Sequence, residues 1–334
     1  MGWKGTLRSI SAASRRAERE ARRRQRELER QRKQIEKMQE LERAAYEVQD
    51  YENHVDLLLS VHRESSDAWD WEAIQSSEPP VKPTTSHTRE ETARATLDAF
   101  RPGLFDKALG RTESRREALA EAVEQAREED EREYQEALWA YERDYADWKA
   151  TCDLARGILA GDPKAYIEAI KQTDPFSDIS QLGSSMDFHA EESTLVEATL
   201  HVNSEQVVPS EVKTLLKSGR LSVKKMPKTK FYEIHQDYVC GCVLRVAREL
   251  FALLPIEMVT VNAVATLLNT RTGYLEEQPI LSVAIPRRTL ETLNFEMLDP
   301  SDSMGNFVHR MAFQKTKGFR AVERLKPSDL QLGT

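Results

Sequence analysis

Between Ser14 and Val61 the chain has neither glycine nor proline and is built mainly from Arg, Glu, Gln, Ala, Leu and Lys, residues that lose little side-chain freedom in a helix. Leu28, Ile35, Met38, Leu41, Ala45, Val48, Val55 and Leu59 fall on steps of three and four or their sums, with charges between them, which is the seam of a coiled coil. A single stripe of this kind cannot make a domain. It needs a facing surface, either elsewhere in the chain or in another molecule, and that requirement constrains everything downstream.

A second run supplies one. From Thr112 to about Ala160 the pattern is again helical, and Tyr134, Leu138, Tyr141, Tyr145, Trp148, Cys152, Ala155 and Leu159 step by alternating fours and threes. The two runs are oppositely charged. Arg15 to Lys37 holds eleven basic against five acidic residues, a net +6, whereas Glu113 to Asp147 holds thirteen acidic against five basic, a net -8. Folding at the proline cluster Pro79-Pro80-Val81-Lys82-Pro83, which cannot continue a helix, brings these charges face to face. The expectation is an antiparallel helical hairpin; a parallel homodimer through the first helix, or a dimer of hairpins, is the alternative.

Beyond Gly161 the pattern changes. Asp162-Pro163 reads as cap and first position of a short helix, and the serine-rich stretch to Ser193 reads as a connector. Thr194 to Val202 alternates as a strand, Ser210 opens a short helix ending at Ser218-Gly219, and Leu221 to Val223 is a further strand. Lys228 to Leu254 is a helix apolar on most sides, Ile256 to Leu268 and Gln278 to Ile285 form a hairpin across residues 269–273, and Pro286 to Leu293 and Ser301 to Ala312 are helical. The predicted fold class is therefore α+β, with a long N-terminal antiparallel coiled coil followed by a small C-terminal α+β domain. Its divisions are a tail at 1–14, a first helix at 15–75, a proline-rich turn at 76–90, a second helical region at 91–172 broken at 101–110, a linker at 173–193, the α+β domain at 194–325 and a loose tail at 326–334.

Composition narrows the function. A net charge of -8 argues against a surface made throughout for nucleic acid. An odd number of cysteines, Cys152, Cys240 and Cys242, suits a reducing cytoplasm better than a disulfide framework, and no membrane-spanning run is visible. Cys240 and Cys242, two apart on a helix, point in nearly opposite directions and read as buried small residues rather than metal ligands. Asp187, His189, Glu191, Glu192 and His201 could gather a metal but read as solvated. Glu211-Val-Lys213 has the spacing of a metal-dependent nuclease core, yet it is expected to open a helix and lacks a companion aspartate. No metal or cofactor is expected.

The strongest functional signal is electrostatic. Lys213, Lys217, Arg220, Lys224, Lys225, Lys228 and Lys230 face one acid, Glu211, before Phe231-Tyr232. Such a segment can hold phosphates with Tyr232 stacking a base, or dock an acidic protein; Arg287, Arg288, Lys315, Lys317 and Arg320 would extend it if folding brought them near. The leading expectation is a non-enzymatic coiled-coil interaction protein whose α+β domain docks a protein partner. The runner-up is a nucleic-acid-associated accessory protein, and a nuclease-like enzyme comes third.

Overall fold

A computed structural model describes residues 40–103, 111–176, 185–202 and 207–330. Two compact units emerge. Residues 73–153 make one; residues 40–72 join residues 154–330 in the other. The basic run Arg15 to Lys37 lies outside the described residues.

The second unit is arranged around a helix at Lys228–Leu253. In chain order its helices are α1 Glu40–Ser60, α2 Trp71–Gln75 at the boundary, α5 Pro163–Thr173, α6 Lys228–Leu253, α7 Arg287–Glu291, α8 Pro300–Ser303 and α9 Pro327–Leu330; α3 and α4 belong to the first unit and are described below. Its strands are β1 Ser185–Glu192, β2 Leu195–His201, β3 Glu211–Leu215, β4 Leu221–Lys225, β5 Met258–Leu268, β6 Leu275–Pro286, β7 Val308–Gln314 and β8 Gly318–Arg320. The main sheet runs β1-β2-β5-β6-β7-β8, while β3 and β4 form a separate two-stranded ribbon. Only β2 and β5 are parallel among these pairs, so the chain between them must cross over, and α6 lies in that crossover. Tyr238, Val239, Val243, Leu244, Val246, Ala247 and Leu250 of α6 are fully buried, because the helix meets β5 and β8 of the sheet as well as α1, α5 and α8. Each buried valine or leucine contributes about 1.5–3 kcal/mol.

The first long helix ends earlier than the sequence led us to expect. Its buried face is set by Ala44, Val48 and Leu58, so of the seam read from the sequence Val48 is buried, Val55 and Leu59 are half-buried and Ala45 is exposed, and α1 packs on α6, β3 and β4 of the α+β body. The helix stops at Ser60, not beyond Trp71. Arg248 explains the stop: its guanidinium donates to the carbonyls of His62 and Arg63 and, at 2.7 Å, to Ser65 Oγ, taking acceptors that another helical turn would use. The chain then follows α6, with Trp69 N bonded to Ala252 O at 2.8 Å and the Trp71 indole to Leu253 O at 2.6 Å. Gly241 permits the approach, since a Cβ there would sit 2.8 Å from Val61 Cγ1.

Other local expectations divide. Gly161 caps the second long helix at φ 75°, and Asp162 accepts from Lys164 N at 3.0 Å with Pro163 at the first position of α5. The linker expected at 173–193 contains strand β1, where Met186, Phe188 and Ala190 alternate with more exposed Asp187, His189 and Glu191. The helix expected over Ser301 to Ala312 ends as a single 3₁₀ turn at Met304–Asn306, after which β7 pairs with β6. Ser210 to Gly219 is strand and turn rather than helix. The tail from Lys326 is tied down in part: Asp329 accepts from Lys326 N and pairs with Arg310 at 2.8 and 2.9 Å.

In the first unit, α3 spans Thr88–Ala99 and α4 Thr112–Leu159, the latter reaching into the second unit's residues. The proline-rich stretch before α3 lies along α4, not in a free turn. Trp148 Nε1 donates to Ser77 Oγ at 3.0 Å, Cys152 Sγ lies 3.6 Å from Ile74 O, and buried Asp130 accepts from Arg89 N and Glu90 N at 3.1 and 3.0 Å. That carboxylate caps the first turn of α3, where unpaired amides and the helix dipole favour an anion. Part of the aromatic seam is thereby covered. Among the described residues no helix is long and apolar enough to cross a membrane.

Candidate functional site

The basic segment is a β-hairpin. Cross-strand pairs run Glu211 with Lys225, Val212 with Lys224, Lys213 with Val223, Thr214 with Ser222 and Leu215 with Leu221, and residues 216–220 close it through Leu216 N to Arg220 O and Gly219 N to Leu216 O, at 2.9 and 2.8 Å. Gly219, at φ 77°, supplies the left-handed position this closure needs. A strand forms where the sequence reading placed a helix: β-branched Val212 and Thr214 suit a pleated strand, which pairs with β4 and packs on α1.

Register sorts the cations. Lys213 is half-buried and pairs with Glu47 of α1 at 3.3 Å, so it fastens the ribbon to the body. Lys217, Arg220, Lys224 and Lys225 are exposed on the ribbon beside Leu215, Leu216 and Val223, which are exposed too. Lys228 and Lys230 stand in the exposed first turn of α6. Tyr232 packs edge-on to Phe231, with Gly318 so close that a Cβ there would lie 2.7 Å from its ring. Arg287 donates to the carbonyls of Ile256, Phe251 and Leu254 at 2.8, 3.0 and 2.7 Å, which makes it a structural tie, and Lys315 pairs with Glu233 at 3.1 Å.

The motif Glu211-Val-Lys213 does sit on a strand, contrary to the helix expected, but its lysine is paired with Glu47. Among the described residues no group of three or more His, Cys, Asp or Glu side chains is placed to share a metal. Cys240 and Cys242 are fully buried; burial pushes the first thiol far up and the second to about 12, which disfavours the thiolate that metals bind. His201 sits between two carboxylates, Nε2 3.0 Å from Asp187 Oδ2 and Nδ1 3.0 Å from Glu277 Oε1. Burial opposes its charge, but the hydrogen bonds to Glu277 and Asp187 outweigh it and raise the pKa above 6.5. Both ring nitrogens face a carboxylate oxygen, an arrangement that favours the protonated ring, the form with no lone pair to offer a metal.

A folded-state pKa above the unfolded one stabilises the protein below the unfolded value and is lost as pH rises through the folded value. Wild type is therefore expected to lose stability upward from about pH 6.5, and His201→Gln should remove that part of the slope; thermal melts of both across this range check it. An unchanged slope in the variant would remove His201 as the source.

Sequence reasoning found the cations and missed the buried pair Arg245 and Glu249, 2.8 Å apart on α6. A signal existed: two charges four apart on a helix otherwise apolar on most sides. Fold and surface together define a class, a mixed α+β body with a clad central helix and a basic ribbon outside its main sheet. The chain matches no protein-family model, no curated protein and no solved structure, so its reading rests on its own residues.

Proposed function

We propose that this is a non-enzymatic interaction protein that docks an acidic protein partner through the β3–β4 ribbon. The observation that carries the reading is the mixture on the ribbon: exposed Leu215, Leu216 and Val223 beside exposed Lys217, Arg220, Lys224 and Lys225. Apolar anchors ringed by charge suit a protein surface. The ribbon lies apart from the six-stranded sheet, and its anchor is Lys213 on Glu47. In the same reading the 48-residue helix α4, about 70 Å long, acts as a spacer. Its acidic half pairs with the basic run Arg15 to Lys37 as an antiparallel coiled coil, the support being their opposite charge; cross-linking of cysteines placed at Lys33 and Arg127 within one chain tests that part.

Peptides selected from a displayed library on the full chain are expected to be acidic with an apolar anchor. They should lose at least tenfold in affinity, about 1.4 kcal/mol, for Leu216→Ser combined with Lys224→Ala and Lys225→Ala. Binders indifferent to these changes would sink the reading. The second reading, nucleic acid, is favoured by seven cations against one acid between Glu211 and Tyr232. It requires binding to random-sequence DNA or RNA with a steep salt dependence, each phosphate contact adding about -0.9 to the slope of log K against log salt; no binding at low salt eliminates it.

A further inference from the structure

Residues 61–72 lie along α6 as a strap. Arg248 donates to the carbonyls of His62 and Arg63, Glu249 accepts from Ser66 N at 3.0 Å, Ala252 O from Trp69 N at 2.8 Å and Leu253 O from the Trp71 indole at 2.6 Å. Positions 248, 249, 252 and 253 share one flank of the helix, so the strap is held by a short row of bonds. One side chain at its start is left out of them. His62 is 1% exposed, and neither of its ring nitrogens makes a hydrogen bond among the described residues. It is pressed against Gly241, where a Cβ would lie 3.7 Å from its Nδ1 and 3.9 Å from its own Cβ. A neutral ring placed there is tolerable; a charged one, buried without a partner, is costly.

Its neighbours add to that cost. Burial first, then Arg63 on the strap and Arg248 on α6, hold the imidazole below its ordinary 6.5, against a smaller pull from the Phe295 backbone and Asp299 on the segment before α8. Farther out, Arg248 faces Arg245, Glu249 and Glu296, and Asp299 faces Asp237, which Asp302 and Glu233 also reach.

We propose that residues 61–72 are an acid-released strap: the uncharged His62 ring lets them close on α6, and a proton on that ring lifts them off. In the open form the ring regains its ordinary value. The closed form is therefore fully favoured above about pH 6.5 and loses ground as pH falls from there through the depressed value of the covered ring. Opening at pH 5 then exceeds opening at pH 7.5 by up to about thirtyfold, the limit set by the open form's own titration. Other groups act differently. His201 and Asp237, both raised, the second to about 6, favour the folded state as pH falls; His235, pushed down to about 4 by burial, packs on Phe231 and Phe319 and not on the strap. Global melts mix these contributions, so the strap has to be read locally.

Hydrogen exchange of the full chain, each rate divided by the intrinsic rate at that pH, is expected to show the Ser66 and Trp69 amides opening at least fivefold more at pH 5 than at pH 7.5. His62→Leu and His62→Gln should each reduce that ratio below twofold. The His62 ring in wild type, followed by NMR, should titrate with a midpoint below 6.5, and this midpoint decides alone if both variants leave the strap open at pH 7.5. Equal corrected rates at the two pH values, a fivefold rise that persists in both variants, or a ring midpoint at or above 6.5 overturns the proposal.

Discussion

Replacing Glu249 with alanine is expected to cost about 3–5 kcal/mol of stability. The carboxylate is 1% exposed and the Arg245 side chain 4%, with Nη2 2.8 Å from Oε1, and the same oxygen accepts from Ser66 N at 3.0 Å. Truncation leaves a guanidinium in an apolar helix interface without its main counter-ion. The double variant Arg245→Met and Glu249→Leu removes both charges with little loss of volume and should be markedly more stable than Glu249→Ala alone. Urea unfolding of the three proteins decides it; a double variant at least as unstable as the single one would mean that packing geometry, not the stranded charge, dominates.

Gly318→Ala ranks second, at about 2–5 kcal/mol. Its φ of 75° costs an L-residue about 1–2 kcal/mol, and the new Cβ would meet Tyr232 Cε1 and Cδ1 at 2.7 and 2.8 Å, an overpacking cost of about 1–3 kcal/mol. Gly273→Ala is the control: its φ is 76° with nothing within 4 Å, so it should show the backbone cost alone. The difference between the two in chemical denaturation measures the Tyr232 contact. Equal losses would show that the ring moves aside freely.

What could be read without coordinates was whatever is encoded locally. Helices α4 and α6, the Asp162-Pro163 start of α5 and the β5–β6 hairpin all carry their period and their punctuation in adjacent residues. What could not be read depends on neighbours distant in sequence. Strand β3 was read as a helix and is a strand completed by β4 and α1; β1 was hidden in a serine-rich context; α1 gives way to a bend whose carbonyls at His62 and Arg63 bond to Arg248, some 185 residues later. The candidate site followed the same division. Its cations were visible as a run, but their sorting into Lys213 on Glu47, four on the ribbon and two on α6 is a matter of register. Glu277 lies 76 positions from His201, and no local pattern joins them.

The way residues 61–72 wrap α6 sets a timetable for synthesis. Ser66, Trp71 and the carbonyl of His62 meet their partners across 182 to 186 positions. At translation speeds of about 5–20 residues per second, the earlier segment waits roughly 10–40 s for its seat to be made. During that interval the tryptophans Trp69 and Trp71 and the apolar face of α1 have no seat, which is when a chaperone would be needed. A fragment started after residue 72 would face the converse problem, a finished central helix permanently missing one side of its coat.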